Sequence, residues 1–115
     1  MQIKINSDSQ IDIDARFVDH WESEIESSLE RFSDRLTRIE VHLTDENSHA
    51  KGGADDIRCL MEARPAGQKP ISIEVRGASV ELALQDGIGT LSRRLANMVE
   101  KARTEARKRP EEPMA

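Results

Sequence analysis

The sequence predicts an α+β fold of order β-α-β-β-β-α, a four-stranded sheet with two helices packed on one of its faces. Apolar and polar residues alternate over four short stretches, at residues 2–6, 37–44, 57–64 and 71–76, which is the period of half-buried strands. Over two longer stretches, one after residue 14 and one from residue 79, apolar residues recur at three- and four-residue spacing, the period of amphipathic helices. Each strand has a single apolar side, so both helices are expected to cover the same face of the sheet.

The first strand places Ile3 and Ile5 between polar neighbours. Asp14 then stands where a helix needs an N-cap, with Ile13 before it and Val18 inside the first turn as a hydrophobic staple. Val18, Trp21, Ile25, Leu29, Phe32 and Leu36 continue at helical spacing, so the stripe predicts a first helix running toward Leu36. Asp19, Glu22, Glu24, Glu26 and Glu30 give that helix an anionic side facing water.

From residue 37 the period becomes two, with Ile39, Val41 and Leu43 on one face and Arg38, Glu40 and His42 on the other. Residues 45–56, rich in Asn, Ser, Gly and Asp, read as a loop or an extended hairpin turn, mobile by composition. Ile57, Cys59, Met61 and Ala63 alternate with Arg58, Leu60, Glu62 and Arg64 in a third strand. Two prolines and a glycine within residues 64–70 close a hairpin. Ile71, Ile73 and Val75 alternate with Ser72, Glu74 and Arg76 in a fourth strand, stopped by Gly77. The face opposite the helices is therefore expected to carry mixed charge in solvent.

Val80, Leu84, Ile88, Leu91, Leu95, Met98 and Ala102, at spacings of 4, 4, 3, 4, 3 and 4, form one stripe of a long final helix that begins near Ser79. Gly87 and Gly89 fall inside it, where each costs about 1 kcal/mol relative to Ala, and close packing against the sheet is the expected reason. Residues 93–109 carry seven Lys and Arg against two Glu, a local balance of +5 in a chain whose net charge is −5. A cationic rod on an acidic body suits a phosphate backbone or an acidic partner; the same charges also suit a solvated helix end that complements the helix dipole.

With 115 residues and 37% apolar content, the chain fits one domain, residues 1–109, with a proline- and glutamate-rich tail, residues 110–115, expected to be disordered. No stretch has the roughly 20 apolar residues of a membrane span, and the opening residues lack the apolar run of a signal peptide, so a cytoplasmic protein is expected. The single cysteine, Cys59, offers neither an internal disulfide nor a multi-thiolate metal site.

The opening Met1, Gln2, Ile3, Lys4, Ile5, the strand Ile39, Glu40, Val41, His42, Leu43 and the run from Ala78 through Leu95 resemble the ribosome hibernation promoting factor and ribosome-associated inhibitor family, also described as sigma modulation proteins. The resemblance covers roughly residues 1–105. It implies a layout related to double-stranded RNA-binding domains. It also implies a factor that binds the small ribosomal subunit through its rRNA and blocks messenger and transfer RNA while translation is shut down. Longer members append a domain that pairs ribosomes, and this chain resembles the short form, expected to be monomeric.

The family's pattern of leucine, any residue, basic, polar, leucine is met by Leu91, Ser92, Arg93, Arg94 and Leu95, so Arg93 is the residue that transfers most directly. Thr90, Asn97 and Val99 stand at positions that relatives often make basic, and Asp55 and Asp56 occupy a loop that is often basic. Positive charge returns further on at Lys101, Arg103, Arg107, Lys108 and Arg109. The rRNA-binding set expected on these grounds is Arg93, Arg94, Lys101, Arg103 and Arg107, with Arg31, Arg35 and Arg38 as a second edge. Phe17, Trp21 and Phe32 are the only aromatic side chains besides histidine, and Trp21 and Phe32 lie on an apolar stripe. Recognition would therefore rest on shape and backbone charge rather than on base stacking.

Enzyme chemistry finds no support. His20, His42 and His49 stand in no metal-ligand or triad spacing, Cys59 alternates into the core, and the glycines form no phosphate-cradling loop with a lysine. No cofactor, metal or small-molecule substrate is implied. The alternative to ribosome binding is a protein-interaction module on the same scaffold, using the anionic first helix or the open sheet face.

Overall fold

The computed structural model describes residues 1–46 and 57–108, in the order β1 (Gln2–Ser7), α1 (Ala15–Ser28), a 3-10 turn (Glu30–Phe32), β2 (Leu36–Asp45), β3 (Ile57–Pro65), β4 (Ile71–Gly77) and α2 (Val80–Lys108). The expected mobile loop, including His49, Asp55 and Asp56, lies outside the described residues from residue 47 on, as do Arg109 and the tail 110–115.

The sheet order is β1-β2-β3-β4. β1 pairs with β2 in parallel, with Ile3 opposite Ile39 and Ile5 opposite Val41, because α1 carries the chain back across the sheet between them. The other two pairings are antiparallel and set Val41 beside Met61 and Met61 beside Ile73. These residues share one face, and Ile39, Val41, Met61, Cys59 and Ala63 on it are fully buried. Both helices pack there, α1 toward β1 and α2 over β3 and β4. The α+β architecture is thus as the alternation of apolar residues requires.

α1 starts as its cap predicts: the Asp14 carboxylate accepts from the Phe17 amide at 2.8 Å. It ends earlier than the apolar stripe suggests. The helix closes at Ser28, the Leu29 amide still donates to the Ile25 carbonyl, and the chain tightens into the 3-10 turn before β2 begins at Leu36. Phe32 and Leu36 are buried, but from a turn and a strand rather than from the helix. A register shift between Leu36 and Arg38 explains the disguise. Leu36 and Ile39 are three residues apart and both face the core, a spacing a regular strand cannot produce and a bulge can. The Thr37 hydroxyl donates to the Arg64 carbonyl at 2.9 Å at this irregularity.

Candidate nucleic-acid interface

α2 is positioned by its buried stripe. The Ser79 hydroxyl accepts from the Leu82 amide at 3.1 Å at the helix start, and Leu84, Leu91 and Leu95 are fully buried. Gly87 brings the helix onto the sheet: a Cβ there would lie 3.0 Å from Met61 Cε and 3.2 Å from Cys59 Sγ. Gly89 has no such role, since a Cβ would meet only Arg93 Nη1 at 3.7 Å, so close packing accounts for one of the two glycines. Beyond Leu95, the last fully buried residue, α2 runs on for about 20 Å to Lys108 at about 1.5 Å per residue. Lys101, Arg103 and Arg107 are exposed along this stretch.

The cations of α2 do not form a single row. On the flank toward α1, Arg103 joins Arg31 and Arg35 around a groove floored by Phe32, Ala96 and Val99 and also lined by the Glu100 carboxylate. The Arg31 guanidinium lies 4.5 Å from the centroid of the Phe32 ring and donates to the Ser92 hydroxyl at 3.5 Å, which holds one wall against α2. On the opposite flank, Arg94 and Lys101 face the β3–β4 turn, where Lys69 joins them. Arg93 is exposed and donates to the Thr90 hydroxyl at 3.2 Å. Arg107 stands exposed one turn past Arg103, near the end of the helix.

The two flanks are tied together from below. The Ala66 amide in the β3–β4 turn donates to the Arg35 carbonyl at 2.7 Å, and Gly67 takes a φ of +73°, the left-handed conformation that lets the turn close. Sequence reasoning treated residues 64–70 as a hairpin closure and missed Lys69. Its signal was a lysine held against Pro70 in a turn whose other members are uncharged from Pro65 to Gln68.

Arg38 is elsewhere. It lies on the sheet face away from the helices, so the structure does not bring it together with Arg31 and Arg35. That face carries the mixed charge expected of it, and its arginines are all paired. Arg38 contacts Glu40, Arg58 contacts Glu74 at 2.5 Å, Arg64 contacts Glu62 at 3.1 Å, and Arg76 contacts Glu46. By contrast, among the described residues, Arg31, Arg35, Arg93, Arg94, Lys101 and Arg107 have no carboxylate within ion-pair distance. Arg103 has a loose, exposed contact with Glu100 at 3.8 Å, one turn back on its own helix.

Carboxylates line further grooves of the helix layer, Glu26 and Glu30 in one of them. Glu24 of α1 and Glu81 of α2 line a groove with His20, which sits edge-on to Trp21 at 5.1 Å. No group of three or more His, Cys, Asp and Glu able to hold a metal occurs among the described residues. Burial, reinforced by the Asp86 carboxylate, pushes the Cys59 thiol up to about 12, so it stays protonated and apolar in the core. No helix among the described residues is long and apolar enough to cross a membrane.

No protein-family model and no curated protein matches the sequence. The fold does have solved counterparts. The Protein Y N-terminal domain of Thermus thermophilus superposes with a TM-score of 0.66 at 17% identity, covering 85% of this chain and 99% of that one. A ribosomal subunit interface protein from Coxiella burnetii gives 0.63 at 13% identity, covering 87% of this chain and 99% of its own. At these identities the likeness is one of fold, and the chain has the fold of these two proteins.

Proposed function

We propose that this protein is a cytoplasmic, non-enzymatic ribosome-associated factor that docks on the rRNA of the small subunit and silences translation. The observation that carries the reading is the contrast between the two faces: the arginines of the sheet face are neutralised by neighbouring carboxylates, whereas, among the described residues, the helix-layer cations Arg31, Arg35, Arg93, Arg94, Lys101 and Arg107 have no such partner and Arg103 has only its loose contact with Glu100. Unpaired, exposed guanidinium and ammonium groups are available to replace counterions on a phosphate backbone, and phosphate contacts of this kind orient a protein without reading sequence. The fold is shared with a protein named for the ribosomal subunit interface, which supports the choice of a ribosomal RNA among nucleic acids.

In this reading Arg93, Arg94, Lys101, Arg103 and Arg107 contact phosphates along α2, and Arg31 and Arg35 extend the footprint across the groove they share with Arg103. Arg38, already paired and facing away, contributes to the sheet surface instead. Sedimentation of the purified protein with separated small and large subunits tests the proposal. Co-migration with the small subunit at low salt, lost in an R93E/R94E double variant, is the expected result. Absence of co-migration at low salt overturns it and leaves the acidic groove of Glu24 and Glu81 as the surface for a basic protein partner.

A further inference from the structure

The cleft between the β3–β4 turn and α2 offers more than a phosphate contact requires. It has a volume of about 510 Å³, within the range of about 300 to 1,000 Å³ typical of small-molecule sites. Three kinds of group line it. Lys69, Arg94 and Lys101 supply positive charge, partly offset by Glu105 at the rim. Gln68 and Asn97 supply carboxamides, each with a donor and an acceptor side by side. Ile71 and Met98, half-buried and continuous with the core, supply an apolar floor.

The backbone that carries these exposed side chains is held in place. Arg94 and Lys101 are seven residues apart on one flank of α2, roughly 10 Å along its axis. The turn that carries Gln68 and Lys69 is pinned by the Ala66-to-Arg35 hydrogen bond and by the Gln68 amide, which donates to the Pro65 carbonyl at 3.3 Å. Pro70 limits the backbone directly after Lys69.

From this juxtaposition we propose that the cleft binds a single nucleotide, its phosphate on Lys69, Arg94 and Lys101 and its base on the Ile71 and Met98 floor within reach of the Gln68 and Asn97 carboxamides. An inorganic anion would leave the carboxamides and the apolar floor unused, and a neutral nucleoside would leave three cations unused. A carboxamide presents the donor and acceptor pair that matches a base edge. The same chemistry arrives from two sources, a free nucleotide or one unstacked from a single-stranded RNA. The inference deepens the proposed function, since it adds base contact to a surface otherwise read as contacting backbone only, and it rests on the same flank of α2. Lys69 lies outside the residues assigned to ribosome docking and separates the two claims.

Equilibrium dialysis at low salt, with labelled nucleoside 5′-monophosphates, the parent nucleosides, inorganic phosphate and short single-stranded oligoribonucleotides, tests it on the full chain. Saturable binding of a monophosphate, weakened at least tenfold in K69E and unchanged in R16E, an exposed substitution of equal charge on α1, is expected for a free nucleotide. Binding of the oligoribonucleotides alone, with the same K69E sensitivity and weakened at least tenfold in Q68A/N97A, assigns the cleft to an RNA nucleotide and equally supports the proposal, whereas oligoribonucleotide binding that Q68A/N97A leaves unchanged is backbone contact only and overturns it. Nucleosides and inorganic phosphate should bind at least tenfold more weakly than the favoured ligand. Loss of binding in K101E with an unchanged circular dichroism spectrum guards against a folding artefact. The proposal is overturned if no nucleotide or oligoribonucleotide binds saturably, if phosphate alone binds as well, or if K69E binds as the wild type does. Small-subunit co-migration persisting in those cases leaves the ribosome reading intact, whereas nucleotide binding without co-migration removes that reading and keeps this one.

Discussion

Gly87 of α2 lies directly over Met61 of β3, so near that a single added methyl would stand 3.0 Å from the methionine Cε. The position also presses on Cys59, whose sulfur would be 3.2 Å away. A side chain here would require Met61 and Cys59 to give way by a few tenths of an ångström. Crowding against these two side chains opposes the gain in helix propensity, so Gly87→Ala should be less favourable than Gly89→Ala by about 1 to 3 kcal/mol. Gly89→Ala, two residues on, should stabilise the domain by about 0.5 to 1 kcal/mol, because the new methyl meets only an ordinary contact with Arg93 and the helix gains Ala propensity. Urea unfolding of both variants checks the pair, and equal effects of the same sign would contradict the packing account.

The Asp14 carboxylate satisfies the Phe17 amide at the start of α1. Removing it in Asp14→Ala leaves an orphan donor and should cost about 1 kcal/mol, while Asp14→Asn or Asp14→Ser should recover most of that loss. Thermal unfolding of the three variants is the measurement. A full loss in Asn as well as Ala would mean that charge, not capping, matters at this position.

Legibility in the sequence divides along physical lines. The strands were readable because one buried face enforces a period of two, and the N-cap because Asp14 precedes an apolar periodic run. The end of α1 was not, because the bulge at Leu36 and Arg38 shifts the strand period by one and lets Leu36 continue a helical spacing it does not belong to. At the site, the cationic character of α2 was visible in composition, but its division into two flanks was not. That division depends on which elements abut the helix: Arg31 and Arg35 reach Arg103 from the turn after α1, and Lys69 reaches Arg94 and Lys101 from a hairpin 25 and 32 residues earlier in the chain. Arg38 shared a sequence neighbourhood with Arg31 and Arg35, yet strand alternation sends it to the other side of the sheet.

Cys59 makes the stability of the core depend on alkaline pH. Its thiol is raised from 9.0 to about 12 in the folded protein, so as pH climbs past 9.0 the unfolded chain gives up this proton while the folded one keeps it. The contribution is complete below pH 9.0 and is lost progressively toward about 12. Between about pH 8 and about pH 10 the wild type should lose more unfolding free energy than Cys59→Ala. Parallel losses in the two proteins would contradict the assignment. The native thiol should also react with a disulfide reagent only at the rate of local opening.

The central claim, that the unpaired cations of the helix layer meet a phosphate backbone, is tested most directly by the salt dependence of small-subunit binding. Engagement of about 4 to 6 phosphates predicts a slope of log affinity against log salt of about −3 to −5. The slope should become shallower by about 2 in R93E/R94E, one for each phosphate contact removed. A flat dependence in the wild type, or an unchanged slope in the double variant, would contradict the account.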